Sequence, residues 1–330
     1  MLCEQPLVDP EIVTLPEVLD PVALARHLRE LLLPAVEEVR VRVLRHYVHQ
    51  RCTLDIGLRT GNGWHFLIGK VYRKDRLEVF RVMEEIQQAG FGPRDEFSIP
   101  RPVAYLPALR LLLQEKVEGP VAEEIFETGD ERSRAAAAER CARWLARFHV
   151  HAPKAGPVSY AREHLNSKSM QRCWQEMAKL DGDFGGKAAR LLQGLEDAAA
   201  SLSPVEMCAG HGGYRADHVI LSEGRTVAFD LDTYDVADPA RDVARFLAAL
   251  RHVALDQIGS IRTLDAAAET FLETYLAAGP PEMRRNLRFF KAAAYLKRAK
   301  HSFCRQVPHW REKTEAMLDE GLRALEQEAA

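Results

Sequence analysis

The chain has 330 residues, of which 47% are hydrophobic and 28% are charged, and its formal net charge is −3 at pH 7. This length allows one bilobal unit or two domains, and the composition is that of an ordinary soluble globular protein. The small negative charge gives no argument for nucleic acid or an anionic membrane surface as a partner.

The first residues and the cysteines indicate a cytoplasmic protein. Residues 1–13 contain acidic side chains and no apolar core flanked by basic residues, so they do not resemble a signal peptide. No apolar window is long enough to span a bilayer. The six cysteines are scattered without a C-x-x-C pair, which favours reduced structural thiols.

The first third of the chain predicts one helix, three strands and a second helix. Spaced leucines from Pro21 to about Pro34 indicate an amphipathic leading helix. Residues 39–71 alternate as three antiparallel strands, with a Gly61-Asn62-Gly63 turn before the third. The turn at residues 47–51 contains no glycine, so we expect a plain hairpin rather than a phosphate-covering loop. Residues 75–89 have helical spacing.

The remainder of the chain is predominantly helical. Residues 109–118 form an apolar run that predicts one more strand followed by a linker. Helical periodicity then covers residues 135–151, 167–200, 264–277, 283–303 and 312–326, with a break expected in the second segment near residues 182–186.

The stretch from Cys208 to Leu250 interrupts the helices with a predicted hairpin. Glu223-Gly224 is the expected two-residue loop, which brings Asp230 opposite Asp217 and close to His218. Strand alternation predicts that Asp230 and Asp232 point to one face, where two carboxylates would suit a hard divalent ion.

A capped helix follows this hairpin. Asp238-Pro239 is a strong helix start, with the carboxylate as N-cap and the proline at the first helical position. The apolar residues after it repeat with helical spacing up to Leu250, so the helix has one buried stripe.

The order of these motifs resembles the aminoglycoside phosphotransferase and choline-kinase-like family. The family pattern is H-G-D-x-x-x-x-N, then I-D-W/F-E/D, then G-D-P-x-x-D. This chain has His211-Gly212-Gly213 with His218 seven residues after His211, then residues 229–232 (FDLD), then Asp238-Pro239 with Asp242. Gly213 stands where the family has its catalytic Asp, and His218 stands where it has a metal-binding Asn or Gln.

The resemblance implies an α+β fold of the bilobal protein-kinase-like type. A leading segment with one helix would cover residues 1–38, and a small antiparallel β N-lobe on the nucleotide side would cover residues 39–118. A larger helical C-lobe, residues 119–330, would hold the catalytic-loop hairpin.

The resemblance also implies a nucleotide site in the N-lobe. Lys70, late in the third strand, would contact the phosphates. Glu78, chosen over Glu84 and Glu85 on the next helix, would orient that lysine. The linker would contact the adenine through the backbone, and its expected residues are Gln114, Glu115 and Val117.

The chemistry of the site is expected in the C-lobe. The resemblance implies Mg²⁺ with ATP or GTP, held by Asp230 with help from Asp232 and His218. Because Gly213 cannot act as a base, Asp217 in the same loop is the candidate substitute. His211 would support the loop, and Asp238 and Asp242 would have structural roles.

Two functions follow from these residues. The first is transfer of the γ-phosphoryl group of ATP or GTP to a hydroxyl of an unknown small-molecule acceptor. The alternative is a pseudokinase that binds nucleotide or a protein partner without turnover, because Gly213 replaces the catalytic Asp.

Overall fold

The computed structural model of the chain describes residues 7–31, 35–161, 172, 175–177, 179, 183–306 and 308–326. The chain divides into two compact units, Met1–Glu118 and Gly119–Ala330. The first is built on a five-stranded antiparallel sheet and the second is mainly helical, which confirms the predicted α+β class. None of the helices in the described ranges is long and apolar enough to cross a membrane.

The sheet of the first unit has the strand order β1-β2-β3-β6-β5, and each neighbouring pair is antiparallel. The expected three-stranded meander and the later strand are therefore confirmed. The strands of this unit are β1 (Glu38–Tyr47), β2 (Arg51–Thr60), β3 (Gly63–Tyr72), β4 (Phe97–Ser98), β5 (Pro102–Leu106) and β6 (Leu111–Glu115).

Three helices accompany this sheet: α1 (Leu15–Leu19), α2 (Pro21–Leu31) and α3 (Leu77–Ile86). The predicted leading helix is confirmed as α2, whereas the short α1 before it was not predicted. Buried side chains of α1 and α2 pack with those of β2 in one core that includes Leu15, Leu24 and Ile56. After α3 the chain makes one wider helical turn to Phe91, in which Gly90 has a left-handed backbone (φ 91°).

The β1–β2 turn is held by a carboxylate from the leading segment. The buried Asp9 accepts hydrogen bonds from the backbone N–H of His49 (2.7 Å) and from the ring of His46 (2.8 Å). His49 itself has a left-handed backbone, with φ 61°. The turn is therefore fixed by side-chain contacts, which fits the expected hairpin without glycine.

The second unit contains the helices α4 (Ala122–Thr128), α5 (Glu131–His151), α6 (Asp183–Ala200), α7 (Ala240–Val253), α8 (Asp265–Ala278), α9 (Met283–Arg305) and α10 (Trp310–Glu326). The predicted helices end within a few residues of these bounds. α6 begins at Asp183, inside the region where a break was predicted, and residue 179 before it lies in a turn; Gly185 and Gly186 lie in the first turns of α6. Most of residues 167–182 lie outside the described ranges.

Two short antiparallel strand pairs interrupt these helices. β7 (Cys208–Gly210) pairs with β10 (Asp235–Ala237), and β8 (Val219–Ser222) pairs with β9 (Arg225–Ala228). Ser222 lies opposite Arg225, so the Glu223-Gly224 loop and the predicted register are confirmed. The pairing brings the segment after β7 next to the segment after β9.

Candidate active site

The loop that follows β7 is anchored by Asp242 in the first turn of α7. The buried Asp242 carboxylate accepts hydrogen bonds from the backbone N–H groups of His211 (2.7 Å) and Gly212 (3.3 Å). Burial opposes ionisation, but Arg241 and other cationic neighbours hold the pKa of Asp242 well below its usual range. Asp242 therefore has the expected structural role of fixing the loop.

Asp238 fixes the start of α7. One of its carboxylate oxygens accepts a hydrogen bond from the backbone N–H of Ala240 (2.8 Å), and the other accepts one from the side-chain amide of Asn286 (2.7 Å). The carboxylate thus satisfies an N–H at the start of the helix, as predicted, and also ties α7 to α9.

His211 connects the loop to the end of β9. Its Nε2 donates to the backbone carbonyl of Phe229 (3.0 Å), and its side chain is completely buried. Burial lowers the pKa of His211, so the ring is neutral at pH 7. This position supports the loop rather than a reacting group.

Tyr214 is a second anchor of the loop, and the sequence did not single it out. Its hydroxyl donates to the Cys141 carbonyl of α5 (2.7 Å). Its fully buried ring stacks between Trp144, with a centroid distance of 5.4 Å, and Phe246, at 5.5 Å. A large aromatic residue inside an otherwise polar glycine-rich loop was the available signal.

The two glycines of the loop have different requirements. Gly212 has φ 76°, and a Cβ there would overlap the Thr233 carbonyl oxygen. Gly213 lies outside the positive-φ positions, and a Cβ there would meet its nearest neighbour, the Thr233 hydroxyl, at 3.5 Å. The fold thus requires glycine at 212 but has room for a side chain at 213.

Asp217, the candidate substitute base, is held by an arginine. Arg215 donates to both carboxylate oxygens of Asp217, from Nε at 2.8 Å and from Nη2 at 2.6 Å. Burial opposes ionisation, but His218 and Arg215 lower the pKa of Asp217 below its usual value. A carboxylate with a lowered pKa that is engaged on both oxygens is a weak proton acceptor.

His218, the residue in place of the family's Asn, is also engaged at both ring nitrogens. Its Nδ1 donates to the Gly213 carbonyl (2.9 Å), and its Nε2 accepts from Nη2 of Arg215 (2.8 Å). Burial and the neighbouring Arg215 lower the pKa of His218 to about 4, so the ring is neutral at pH 7. Arg215 is therefore a central member of this site, although sequence reasoning did not select it.

Asp230 does not continue the strand. β9 ends at Ala228, Asp230 has a left-handed backbone (φ 69°, ψ 53°), and residues 231–233 form a short 3₁₀ turn. The prediction that Asp230 and Asp232 alternate onto one face of a strand is wrong for this reason. The predicted closeness to His218 is confirmed, because Oδ2 of Asp230 lies 3.6 Å from Nε2 of His218.

These residues fit a magnesium ion only in part. Within the described ranges, no three His, Cys, Asp or Glu side chains converge as a metal site. The Asp230 carboxylate, with a side chain 16% exposed, offers the hard oxygen that Mg²⁺ prefers, and Asp232 lies two residues later. His218 does not fit as a ligand, because Arg215 already donates to its Nε2.

The expected nucleotide residues of the first unit lie on β3 and β6. Lys70 is buried, and its backbone pairs with Thr53 on one side and Leu112 on the other. Gln114 and Glu115 end strand β6 instead of forming a linker, so the predicted linker over residues 114–117 begins later, at residue 116.

Glu78 lies at the start of α3 with an exposed side chain. Its carboxylate accepts from Nε of Arg76 at 2.6 Å. Glu84 and Glu85 are also exposed. The role of Glu78 in orienting Lys70 therefore stays a prediction.

The comparison with protein families identifies the chain. Residues 58–290 match the model of the phosphotransferase enzyme family. The matched range includes β3, the 211–218 loop and α7. The chain belongs to the phosphotransferase enzyme family. A search of curated proteins gives no sequence match.

Solved structures with the same fold include two phosphotransferases and a kinase family protein. A choline/ethanolamine kinase family protein from Mesorhizobium loti is 13% identical, with a TM-score of 0.58, and the match covers 96% of this chain and 94% of that one. An aminoglycoside phosphotransferase in complex with GDP and kanamycin is 10% identical (TM-score 0.58, 92% and 99% covered). The macrolide 2'-phosphotransferase from Brachybacterium faecium is 16% identical (TM-score 0.54, 90% and 97% covered). At these identities the structures show a shared fold.

Proposed function

We propose that this family member uses ATP or GTP to transfer a γ-phosphoryl group to a hydroxyl of a small molecule. The observation that carries the proposal is the conformation of Asp230. A left-handed backbone at a non-glycine residue costs free energy, and such conformations concentrate at functional sites. Here it places a carboxylate beside the anchored 211–218 loop, at the position that the family motif gives to the metal-binding Asp.

The nucleotide would contact residues of the first unit. The buried Lys70 would hold its phosphates, and Gln114, Glu115 and Val117 would lie along its base. Glu115 already has one fixed contact, because its carboxylate accepts from the backbone N–H of Arg101 (2.9 Å).

Magnesium bound with the nucleotide would neutralise charge on the phosphates, and Asp230 and Asp232 are the side chains that would hold it. The protein's own residues would keep the loop rigid. His211, Tyr214 and Asp242 provide this rigidity through the buried contacts described above. Positioning and electrostatics are the main needs of phosphoryl transfer, since the protein does little covalent chemistry.

The reaction forms a bond between the acceptor oxygen and the γ-phosphorus and breaks the bond to the bridging oxygen, which leaves with the nucleoside diphosphate. The hydroxyl proton must also leave. Gly213 cannot accept it, and Asp217 is occupied by Arg215. We infer that the proton passes to water and that transfer is slow compared with an enzyme that has a positioned base.

The second candidate is a pseudokinase that binds nucleotide or a protein partner without turnover. The contact that favours it is the hydrogen bond from Arg215 to His218. This contact places a guanidinium at the residue that replaces the family's metal-binding Asn. A cation there would oppose a second metal ion.

An assay of nucleoside diphosphate release separates the two candidates. Wild-type protein, Asp230→Asn and a control, Asp256→Asn, would be mixed with ATP or GTP and Mg²⁺ in the presence of pooled small molecules bearing hydroxyl groups. Asparagine tolerates the left-handed backbone, so Asp230→Asn removes the charge without adding strain. Turnover that is lost in Asp230→Asn and kept in Asp256→Asn supports the phosphotransferase. Nucleotide binding with no turnover in any sample supports the pseudokinase.

A further inference from the structure

A cavity of about 310 Å³ opens beside the 211–218 loop in the second unit. Gly213 forms part of its wall, and small side chains of α7 and α9, Ala248 and Ala294, leave room between those helices. Because Gly213 stands where the family has its catalytic Asp, this cavity adjoins the place where an acceptor hydroxyl would react.

The wall of this cavity is strongly cationic. No aspartate or glutamate is among its described lining residues. The six arginine and lysine side chains that line it come from the loop, α7 and α9: Arg215, Arg245, Lys297, Arg298, Lys300 and Arg305. Cations from three separate elements therefore converge on one space.

Only part of this charge is neutralised within the protein. Asp217 pairs with Arg215, and Asp242 lies 3.8 Å from Arg245. Among the described residues, no carboxylate lies within 4.0 Å of the cationic groups of Lys297, Arg298 or Arg305.

Several other cations of this unit have a carboxylate partner. The buried Arg241 pairs with Asp235, and the partly buried Arg251 pairs with Glu320. The cavity cations named above differ from these two arginines. The physical consequence is that these cations repel one another. The pKa of Lys297 is lowered to about 7, and the charge of Arg245 is the largest cause, followed by desolvation. A site that maintains such repulsion is typical of a ligand of opposite charge.

We propose that this cavity binds the acceptor of the phosphotransferase and that the acceptor is a small molecule with a phosphate or carboxylate group in addition to its hydroxyl. The identification of the ligand as the acceptor rests on the proposed function, whereas binding of an anion in the cavity does not require turnover. A polycationic acceptor such as kanamycin would be repelled by the same wall.

The test is calorimetric titration of the nucleotide-free protein with ribose 5-phosphate, ribose, inorganic phosphate and kanamycin. The variants are Lys297→Gln and Arg298→Gln, and the matched control is Arg288→Gln, which removes an exposed cation from α9 outside the cavity. We expect ribose 5-phosphate to bind at least ~10-fold more tightly than ribose. Each cavity variant should weaken the affinity for ribose 5-phosphate ~10-fold or more, because it removes a hydrogen bond to a charged group. Arg288→Gln should leave the affinity unchanged.

Thermal unfolding without ligand gives an independent readout. Lys297→Gln should raise the unfolding midpoint because it removes repulsion from Arg245 and Arg298, whereas a structural role for this side chain would lower it. The inference is overturned if neither phosphate probe binds, if kanamycin binds more tightly than ribose 5-phosphate, or if the cavity variants bind like wild type. It is also overturned if a nonhydrolysable ATP analogue displaces ribose 5-phosphate, because the cavity would then hold nucleotide phosphates. Failure of nucleotide turnover alone would count against the proposed function and not against the anion site.

Discussion

Replacing Gly213 with aspartate should increase phosphoryl transfer. The position has an ordinary backbone, and a Cβ there would meet the Thr233 hydroxyl at 3.5 Å and the His218 ring at 3.9 Å, which are ordinary contacts. Arg215 and Arg245 line the same cavity and would keep the new carboxylate ionised. A positioned base contributes about 10² to 10⁴ in rate, or about 3 to 5 kcal/mol of barrier, so kcat for nucleoside diphosphate release should rise by that factor.

Two control variants make this prediction specific. Gly213→Asn has the same shape without the base, so it should leave kcat near the wild-type value. Gly212→Ala should instead destabilise the protein, because its Cβ would overlap the Thr233 carbonyl and φ there is 76°. The reasoning is refuted if Gly213→Asp still binds nucleotide and shows no gain, or if Gly213→Asn gains as much.

The anchoring residues give two further predictions. Asp242→Asn should lower the free energy of unfolding by about 3 to 5 kcal/mol, because Arg241 and Arg245 lose their shared carboxylate. The control Glu206→Gln, at an exposed ion pair, should change it little. Equal urea-unfolding midpoints for Asp242→Asn and Glu206→Gln would contradict this. His218 has a folded pKa of about 4, below its unfolded value of 6.5, so its contribution to stability is complete above pH 6.5 and is lost as the pH falls toward 4. His218→Asn should flatten that pH dependence by up to about 1.4 kcal/mol per pH unit, and an unchanged slope in unfolding measured across this range would rule out the assignment.

The structural elements that depend on residues close together in the chain were predictable from the sequence. The β8–β9 hairpin follows from a two-residue loop between apolar runs, and that loop fixed the register which brings Asp230 near His218. The helix start at Asp238 likewise depends on neighbouring residues. Such features require only short-range hydrogen bonds and side-chain periodicity.

The conformation of Asp230 was not predictable in the same way. Period-two alternation assumes that the strand continues, but the buried contacts of the 211–218 loop end it at Ala228. The engagement of Asp217 by Arg215 was missed because loop side chains have no periodic pattern to indicate their direction. The assignment of Gly213 to the position of the family's catalytic Asp comes from spacing within the motif and stays a prediction.

The cationic cavity also lies beyond sequence reasoning. Arg245 and Lys297 are 52 positions apart in the sequence and meet only because α7 packs against α9. In the sequence, each of these cations has the pattern of an ordinary charged residue on the surface of a helix. Their convergence is a tertiary property, and it carries the inference about the acceptor.

The proposed phosphotransferase function can be tested by calorimetric titration with a nonhydrolysable ATP analogue, with and without Mg²⁺. The proposed phosphotransferase predicts binding that requires Mg²⁺, that Asp230→Asn abolishes and that Asp256→Asn retains. Binding that is independent of Mg²⁺ and unaffected by Asp230→Asn would contradict the role of Asp230. Absence of binding under both conditions would leave the family fold intact and contradict the phosphotransferase function.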